Sequence, residues 1–265
     1  MIDANQSFEE EKIEYSLSDK FAGIFYEPSL VYANVSSFPL KNSDWFLPLL
    51  LSIMLTILAY IVYYSNPVIK TIIVEKQIQQ VSSNFQKMIE EGKLTQEQAE
   101  EQIEKIRNYF DSPLNLVITI GAITVNFFIF FFIVATFYYV ILKLFFGYSN
   151  SYRSTMIAYG LSYYIYAIYS LAVFIASLIR EDVLLSLSLA SILNIDKNTI
   201  YGLILNIIDP VYIWQLIVMG LGFSILSNSQ RKKAILYVPL ASWIIYKIAI
   251  FYLAKYFDFF KNLNI

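Results

Sequence analysis

Hydrophobic positions along this chain are gathered into long runs, with polar residues confined between them. Residues 46–65, 116–142, 154–179 and 211–230 contain no Asp, Glu, Lys or Arg, and residues 234–254 contain a single charge, Lys247. A bilayer core is roughly 30 Å thick and a helix rises about 1.5 Å per residue, so about 20 apolar residues suffice for one crossing. Hydrocarbon offers the backbone no hydrogen-bond partner, a demand that helices meet internally and isolated strands do not. Barrel strands would read as segments of roughly ten residues with alternating polarity, and these runs are apolar on every face. The pattern predicts an all-α membrane protein, a five-transmembrane-helix bundle.

The polar intervals predict the rest of the organisation. Residues 1–17 are acidic and poor in large apolar side chains, and are expected to be disordered. Residues 18–45 are apolar around Pro28 but too short to span; they predict an amphipathic helix at the membrane interface, started by Ser18 or Asp19 and broken near Pro28. Between the first two spans, residues 70–111 form a polar insert. Val74, Ile78, Val81, Phe85 and Met88 make one helical stripe, and Ala99, Ile103, Ile106 and Phe110 a second. Gly92 suits a left-handed helix terminus and Thr95 with Gln98 a capping box, so the insert predicts an antiparallel helical hairpin whose stripes either face each other as a short coiled coil or leave one to dock on a partner. Pro67 is expected to stop or kink the first span's helix. Residues 183–195 are uncharged but too short to cross, which fits a re-entrant or interfacial segment.

Composition narrows the chemistry. With 265 residues, 57% hydrophobic and 15% charged, the chain has more apolar surface than a soluble core of its length buries. The net charge of -2 and the lack of a basic recognition motif argue against nucleic acid as a partner. There is no cysteine and no histidine, which removes the thiolate nucleophile, the commonest general base and the usual zinc ligands. No cofactor is implied, and no paired carboxylate or nucleophile–base constellation points to an enzyme. The partners that composition supports are the bilayer itself and other membrane proteins, including further copies of this chain.

A handful of residues stand out against the apolar background. Lys247 lies within the fifth run, where a charge costs about 2.5 to 3.5 kcal/mol on insertion scales; it either pairs with a carboxylate such as Asp209 or Glu27 in a cavity, or snorkels to the interface. Asn126 and Gln215 are amides inside the second and fourth runs, suited to interhelical hydrogen bonds. Tyr159, Tyr163 and Tyr166 share one face of the third run, with Tyr169 close by, and fit a buried hydroxyl network or a ligand-facing wall. Together Lys247, Gln215, Asn126 and these tyrosines form the candidate intramembrane polar site. Gly220 and Ser224, with Gly222 between them, allow close helix packing.

Three stretches carry a family resemblance: "FAGIFYEPSLVYANVSSFPLKNSDWFLPLLL", "FGYSNSYRSTMIAYGLSYYIYAI" and "WQLIVMGLGFSILSNSQRKKAILYVPLASWIIYK". Together they resemble a bacterial member of the Yip1 family across most of residues 20–255. The resemblance implies five spans, a cytosolic amino terminus, and an interfacial motif at Glu27 and Pro28. Two departures are visible. The third run reads "YGLSYYIYAI", with Tyr163 and Tyr164 where the family often has a proline, and the helical hairpin is an insertion into the family's core. Eukaryotic relatives are similar to trafficking factors that associate with Rab GTPases and vesicle coats, which bacteria lack, so the expected role is non-enzymatic membrane organisation or scaffolding. The alternative is a small-solute or ion permease using the polar site. Lys143, Arg153, Arg231, Lys232 and Lys233 favour an amino terminus inside a bacterial cytoplasmic membrane and a carboxyl terminus outside, although the hairpin's lysines pull the other way.

Overall fold

The computed structural model describes residues 13–257, and every regular element among them is a helix. The chain opens with α1 (Leu17–Tyr26) and α2 (Pro28–Ser36), then a long helix α3 (Ser43–Ser65). The hairpin follows as α4 (Pro67–Glu90) and α5 (Gln96–Asp111), and leads into α6 (Pro113–Phe146) and α7 (Tyr152–Arg180). Three shorter helices, α8 (Leu189–Ile192), α9 (Ile200–Ile207) and α10 (Pro210–Ile225), precede α11 (Lys232–Tyr256).

Four of these, α3, α6, α7 and α11, are long and apolar enough to cross a membrane. A fifth crossing exists only if α9 and α10, bent by 55° at their junction, are taken as one span. The fourth crossing therefore differs from a straight helix over 211–230. At 16 residues α10 is about 24 Å long, short of a roughly 30 Å core. Asp209 and Pro210 set its start: the carboxylate accepts from the backbone N–H of Tyr212, and the proline has no N–H to continue the α9 ladder.

Cross-links between loops define two ends. At one, Arg153 Nε donates to Asn42 Oδ1 at 2.9 Å, Arg231 Nη1 to the Phe145 carbonyl at 2.8 Å, and the Asn150 amide to the Leu226 carbonyl. At the other, Tyr64 donates to the Ser112 carbonyl at 3.1 Å, Lys76 pairs with Asp182 at 2.7 Å, and Arg180 donates to the Ile192 carbonyl at 2.7 Å. We refer to these as the basic end and the hairpin end.

Helix α7 occupies the middle, packed between α3 and α10, with α11 and α2 against α10. Small residues permit the approach. A Cβ on Gly160 of α7 would lie 2.4 Å from the Trp45 Cα of α3. One on Gly220 would lie 2.0 Å from the Leu236 carbonyl oxygen of α11, and one on Gly222 2.6 Å from the Tyr32 ring of α2. Gly220 and Gly222 thus admit neighbours from the same chain, and Ser224 Oγ donates to the Lys232 carbonyl at 2.9 Å.

The amino-terminal segment departs from a lone interfacial helix. Ser16, not Ser18 or Asp19, caps α1, in a capping box with Asp19. The segment is two helices meeting at Glu27, with Pro28 at the first turn of α2. Ile24, Val31 and Tyr32 are fully buried in the bundle, and the Tyr32 hydroxyl donates to the Ala158 carbonyl at 2.8 Å. Its apolar side chains pack on protein, a long-range outcome that local periodicity cannot foresee. A buried ion pair adds to the attachment: Lys20 and Asp44, each 3% exposed, meet at 2.8 Å. Glu14 pairs with Lys41 at 2.6 Å, and that ammonium group holds its carboxyl below the usual range. Of the segment expected to be disordered, residues 1–12 lie outside the described residues, whereas 13–17 are held by these contacts and by Asn34, whose side chain bonds Ile13 and Tyr15.

The hairpin follows its sequence pattern. Gly92 adopts φ +69°, Thr95 and Gln98 form the capping box, and Val74, Ile78 and Ala99 are buried between α4 and α5. Each leg is jointed to its span. Asn66 caps α4 ahead of Pro67, and Ser112 caps α6 ahead of Pro113. Between α7 and α9, residues 183–188 are irregular and α8 packs on α9, so this stretch folds over the hairpin end.

Candidate functional site

The break between α9 and α10 gathers several of the bundle's buried polar groups. Asp209, 2% exposed, sits at the junction. Its Oδ1 accepts from Tyr212 N at 3.1 Å and its Oδ2 from the Tyr169 hydroxyl at 2.7 Å. The same hydroxyl accepts from Leu187 N at 3.1 Å, so one carboxylate ties together α7, the loop before α8 and the start of α10. Its charge lies where the α10 dipole is positive, which offsets part of the cost of burial.

Lys247 arrives from α11. It is 4% exposed, its Nζ lies 4.6 Å from the centre of the Trp243 ring, and Lys197 and Asp209 are among the charged groups around it. Lys247 is thus a buried ammonium facing an aromatic ring, with a carboxylate among its charged neighbours. Glu27, the other carboxylate considered for it, is exposed and stands between α1 and α2, far along the chain's packing from this cluster. Lys197, in the loop before α9, has its pKa lowered by partial burial.

Around this pair lies a layer of hydroxyls and amides. Ser188 Oγ bonds Asn206 Oδ1 at 3.2 Å, and Ser186, Ser188 and Ser191 bond one another at 2.8 to 3.1 Å. These serines, which fit neither a helix face nor a strand face in sequence, converge because the chain turns around them. Asn206 Nδ2 and Gln215 Oε1 are buried without a hydrogen-bond partner. Trp243 Nε1 donates to the Ile207 carbonyl at 3.4 Å, at the last turn of α9.

An aromatic series connects this cluster to the rest of the bundle. Ring centroids are 6.3 Å apart from Tyr169 to Tyr212 and 4.5 Å from Tyr212 to Trp243. In the other direction Tyr169, Tyr166, Tyr163 and Tyr159 follow at 5.0 to 6.1 Å, and Tyr159 stacks on Phe131 at 5.0 Å. The hydroxyls of Tyr159 and Tyr163 bond each other at 2.9 Å. Of the residues singled out in sequence, Lys247 and Gln215 are thus buried on the helices that meet at the break, and the three tyrosines form a ladder leading to it. Asn126 does not join them: it is exposed on the outer face of α6, because a helix apolar all round carries no periodic signal of which face turns inward.

A family model of the Yip1 domain matches residues 22–253 of the 265-residue chain. The chain belongs to the Yip1 family. Neither a search of curated proteins nor one of solved structures finds a match. The Yip1 domain thus takes in α2, the whole hairpin, the broken helix pair and Lys247, and ends within α11. Sequence reasoning named Asp209 only as a partner for Lys247. It passed over Tyr212, Trp243 and Asn206, and the Asp209-Pro210 pair, a cap followed by a first-turn proline, was the available signal for the break.

Proposed function

We propose that this Yip1-family membrane protein is a non-enzymatic scaffold: the bundle anchors it, and the α4–α5 hairpin is the surface it offers to other proteins outside the lipid. The observation that supports this is the burial of the bundle's charged groups. The tyrosine ladder, Trp243, Asp209 and Lys247 occupy one another's surroundings, and the two charged groups are 2% and 4% exposed. By contrast the hairpin is solvated over most of its surface, with side-chain pairs such as Arg107–Glu75 at 2.8 Å on its outside. In this reading the amino terminus faces the cytoplasm of a bacterial cell and the carboxyl terminus the outside, in keeping with the cations of the basic end.

A second reading, a small-solute or ion permease, is favoured by one observation: a discontinuous helix with a buried carboxylate at its break is how many transporters build a midplane site. Liposome flux separates the two. Purified protein is expected to pass no more of a panel of cations and small solutes than protein-free vesicles do. Flux in the wild type that is lost in Lys247→Ala and Asp209→Asn overturns the scaffold. A photoreactive residue at exposed Glu97 or Glu104 of the hairpin is expected to yield discrete protein adducts in native membranes, whereas one at Ile129 on the outer face of α6 is not.

A further inference from the structure

At the basic end the two loops joining α6 to α7 and α10 to α11 are fastened together. Ser229 Oγ donates to the Phe146 carbonyl, Arg231 N donates to Ser229 Oγ at 3.0 Å, and Asn228 N donates to Asn150 Oδ1 at 3.2 Å. Together they bring Lys143, Arg153, Arg231, Lys232 and Lys233 to one rim, all exposed. No Asp or Glu occurs in residues 113–180 or 210–257, so neither loop nor any helix flanking them supplies a carboxylate. Among the described residues the acids at this end belong to the amino-terminal segment, and of these Asp44 is buried against Lys20 while Glu14 is paired with Lys41. Asp19 is bonded to Ser16, and Glu27 is exposed beside Pro28.

Depth is also on the page. Leu144 and Phe145, directly after Lys143, are 71% and 60% exposed, and Tyr237, about one turn after Lys233, is 63% exposed. Lipid-facing side chains therefore begin within about one turn of the cations, which places the rim at headgroup level. A shallow depression is lined by residues 228–234 at the start of α11, and a neighbouring one by residues 143–147 and 228–231 of both loops. Within the first, Lys232 and Lys233 stand in the first turn of α11, where the helix dipole is already positive. Two lysines there oppose folding of that turn unless an anion is drawn to them.

We propose that this rim is a binding surface for the headgroups of anionic phospholipids, with Arg231, Lys232 and Lys233 as the principal contacts and Lys143 and Arg153 at its margin. Charge complementarity selects the occupant: a two-dimensional array of phosphates at headgroup depth meets five exposed cations, none of them ion-paired among the described residues. Arg231 spends Nη1 on the Phe145 carbonyl, and its planar fork has further donors for a phosphate. The surface is independent of the scaffold or permease question, since either protein would keep it.

Native mass spectrometry of the full chain, released from detergent micelles containing equal phosphatidylglycerol and phosphatidylcholine, tests this. Retained lipid is expected to be predominantly phosphatidylglycerol, and Arg231→Gln/Lys232→Gln/Lys233→Gln to lose that preference by roughly fivefold per charge, on the order of a hundredfold in all. Lys93→Gln/Lys105→Gln, on the hairpin, is expected to leave it unchanged. Should the triple variant not fold, judged by circular dichroism, the single Arg231→Gln and Lys233→Gln variants carry the test with about fivefold losses each. Equal retention of the two lipids by the wild type overturns the proposal. So does a preference that survives all three substitutions, or inorganic phosphate at matched concentration displacing the lipid, which would make the surface a site for free phosphate.

Discussion

Helices α6 and α7 are neighbours in sequence and both are long enough to cross a bilayer, yet they are built on opposite plans. Helix α6 is made largely of Phe, Ile and Val and turns only Asn115, Phe131, Ala135, Tyr138 and Leu142 fully inward. Helix α7, rich in Ser, Tyr and Ala, buries most of its first half, including Ser154, Thr155, Ser162 and three tyrosines, with Tyr169 buried beyond. The less apolar helix is the more buried one. In water the hydrophobic effect would reverse this arrangement, whereas in lipid the tails solvate Phe and Ile as well as protein does. Association then falls to close backbone approach and hydrogen bonds. Gly160 against Trp45, Tyr32 on the Ala158 carbonyl and Ser52 on the Tyr163 carbonyl at 3.1 Å are such contacts, and all of them reach α7.

The sharpest way to break the comparison is to add the same side chain to a glycine on each helix. Gly160→Leu is expected to cost about 3 kcal/mol or to prevent folding, because the overpacked atom meets backbone. Gly121→Leu on α6 meets nothing within 4 Å, and is expected to be neutral or to gain about 0.5 kcal/mol from restricted backbone freedom. Thermal unfolding in detergent, followed by tryptophan fluorescence, compares them; equal losses would mean that α6 is buried too.

Hydrogen bonds on α7 are expected to grade by charge. Tyr169→Phe removes a donor from the buried Asp209 carboxylate and is expected to cost about 2 kcal/mol, while Tyr159→Phe, which breaks a neutral pair with Tyr163, costs about 1 kcal/mol. The same unfolding assay reads both, and a reversed order would mean that Asp209 is protonated or solvated.

The smallest effect lies at the exposed end of α7. The Lys76 ammonium beside Asp182 holds its carboxyl below the usual carboxylate range. With the folded value lowered, the pair's contribution is present above the unfolded value of about 3.9 and is lost as pH falls through the folded one. Both partners are half exposed, so only a few tenths of a kcal/mol (~0.3) is at stake. Spin labels at the hairpin turn and near the end of α7 are expected to show a broader distance distribution at pH 3 than at pH 7, and Lys76→Gln to show the broad form at both.

What could be read in advance follows the same division between lipid-facing and protein-facing plans. Long uncharged runs declare themselves, and so does the hairpin, because Gly92, Thr95 and Gln98 act within a few residues of one another. The burial of Lys20 against Asp44, 24 residues apart, has no local signature. Neither does the inward turn of Ile24 and Tyr32, whose apolar character suits a membrane surface equally well. Asn126 and Gln215 look alike in sequence, each an amide in an oily run, and only the helix's rotation separates an exposed residue from a buried one. Around Asp209 the chain is irregular from 183 to 188 and changes direction twice more before 210, so the groups that meet there come from segments whose periodicity says nothing about their neighbours.

The proline joints at the base of the hairpin bear on how load is carried. Pro67 and Pro113 each interrupt the backbone ladder, and the two interruptions are linked by Tyr64 on the Ser112 carbonyl and by Lys70 with Asp111 at 2.9 Å. A pull on the arm is therefore taken up at a collar of one hydroxyl and one ion pair, with a further ion pair, Lys76 with Asp182, farther along α4. The glycine-packed interior beyond it feels little of the torque, and the arm can tilt toward whatever holds it while the anchor stays still.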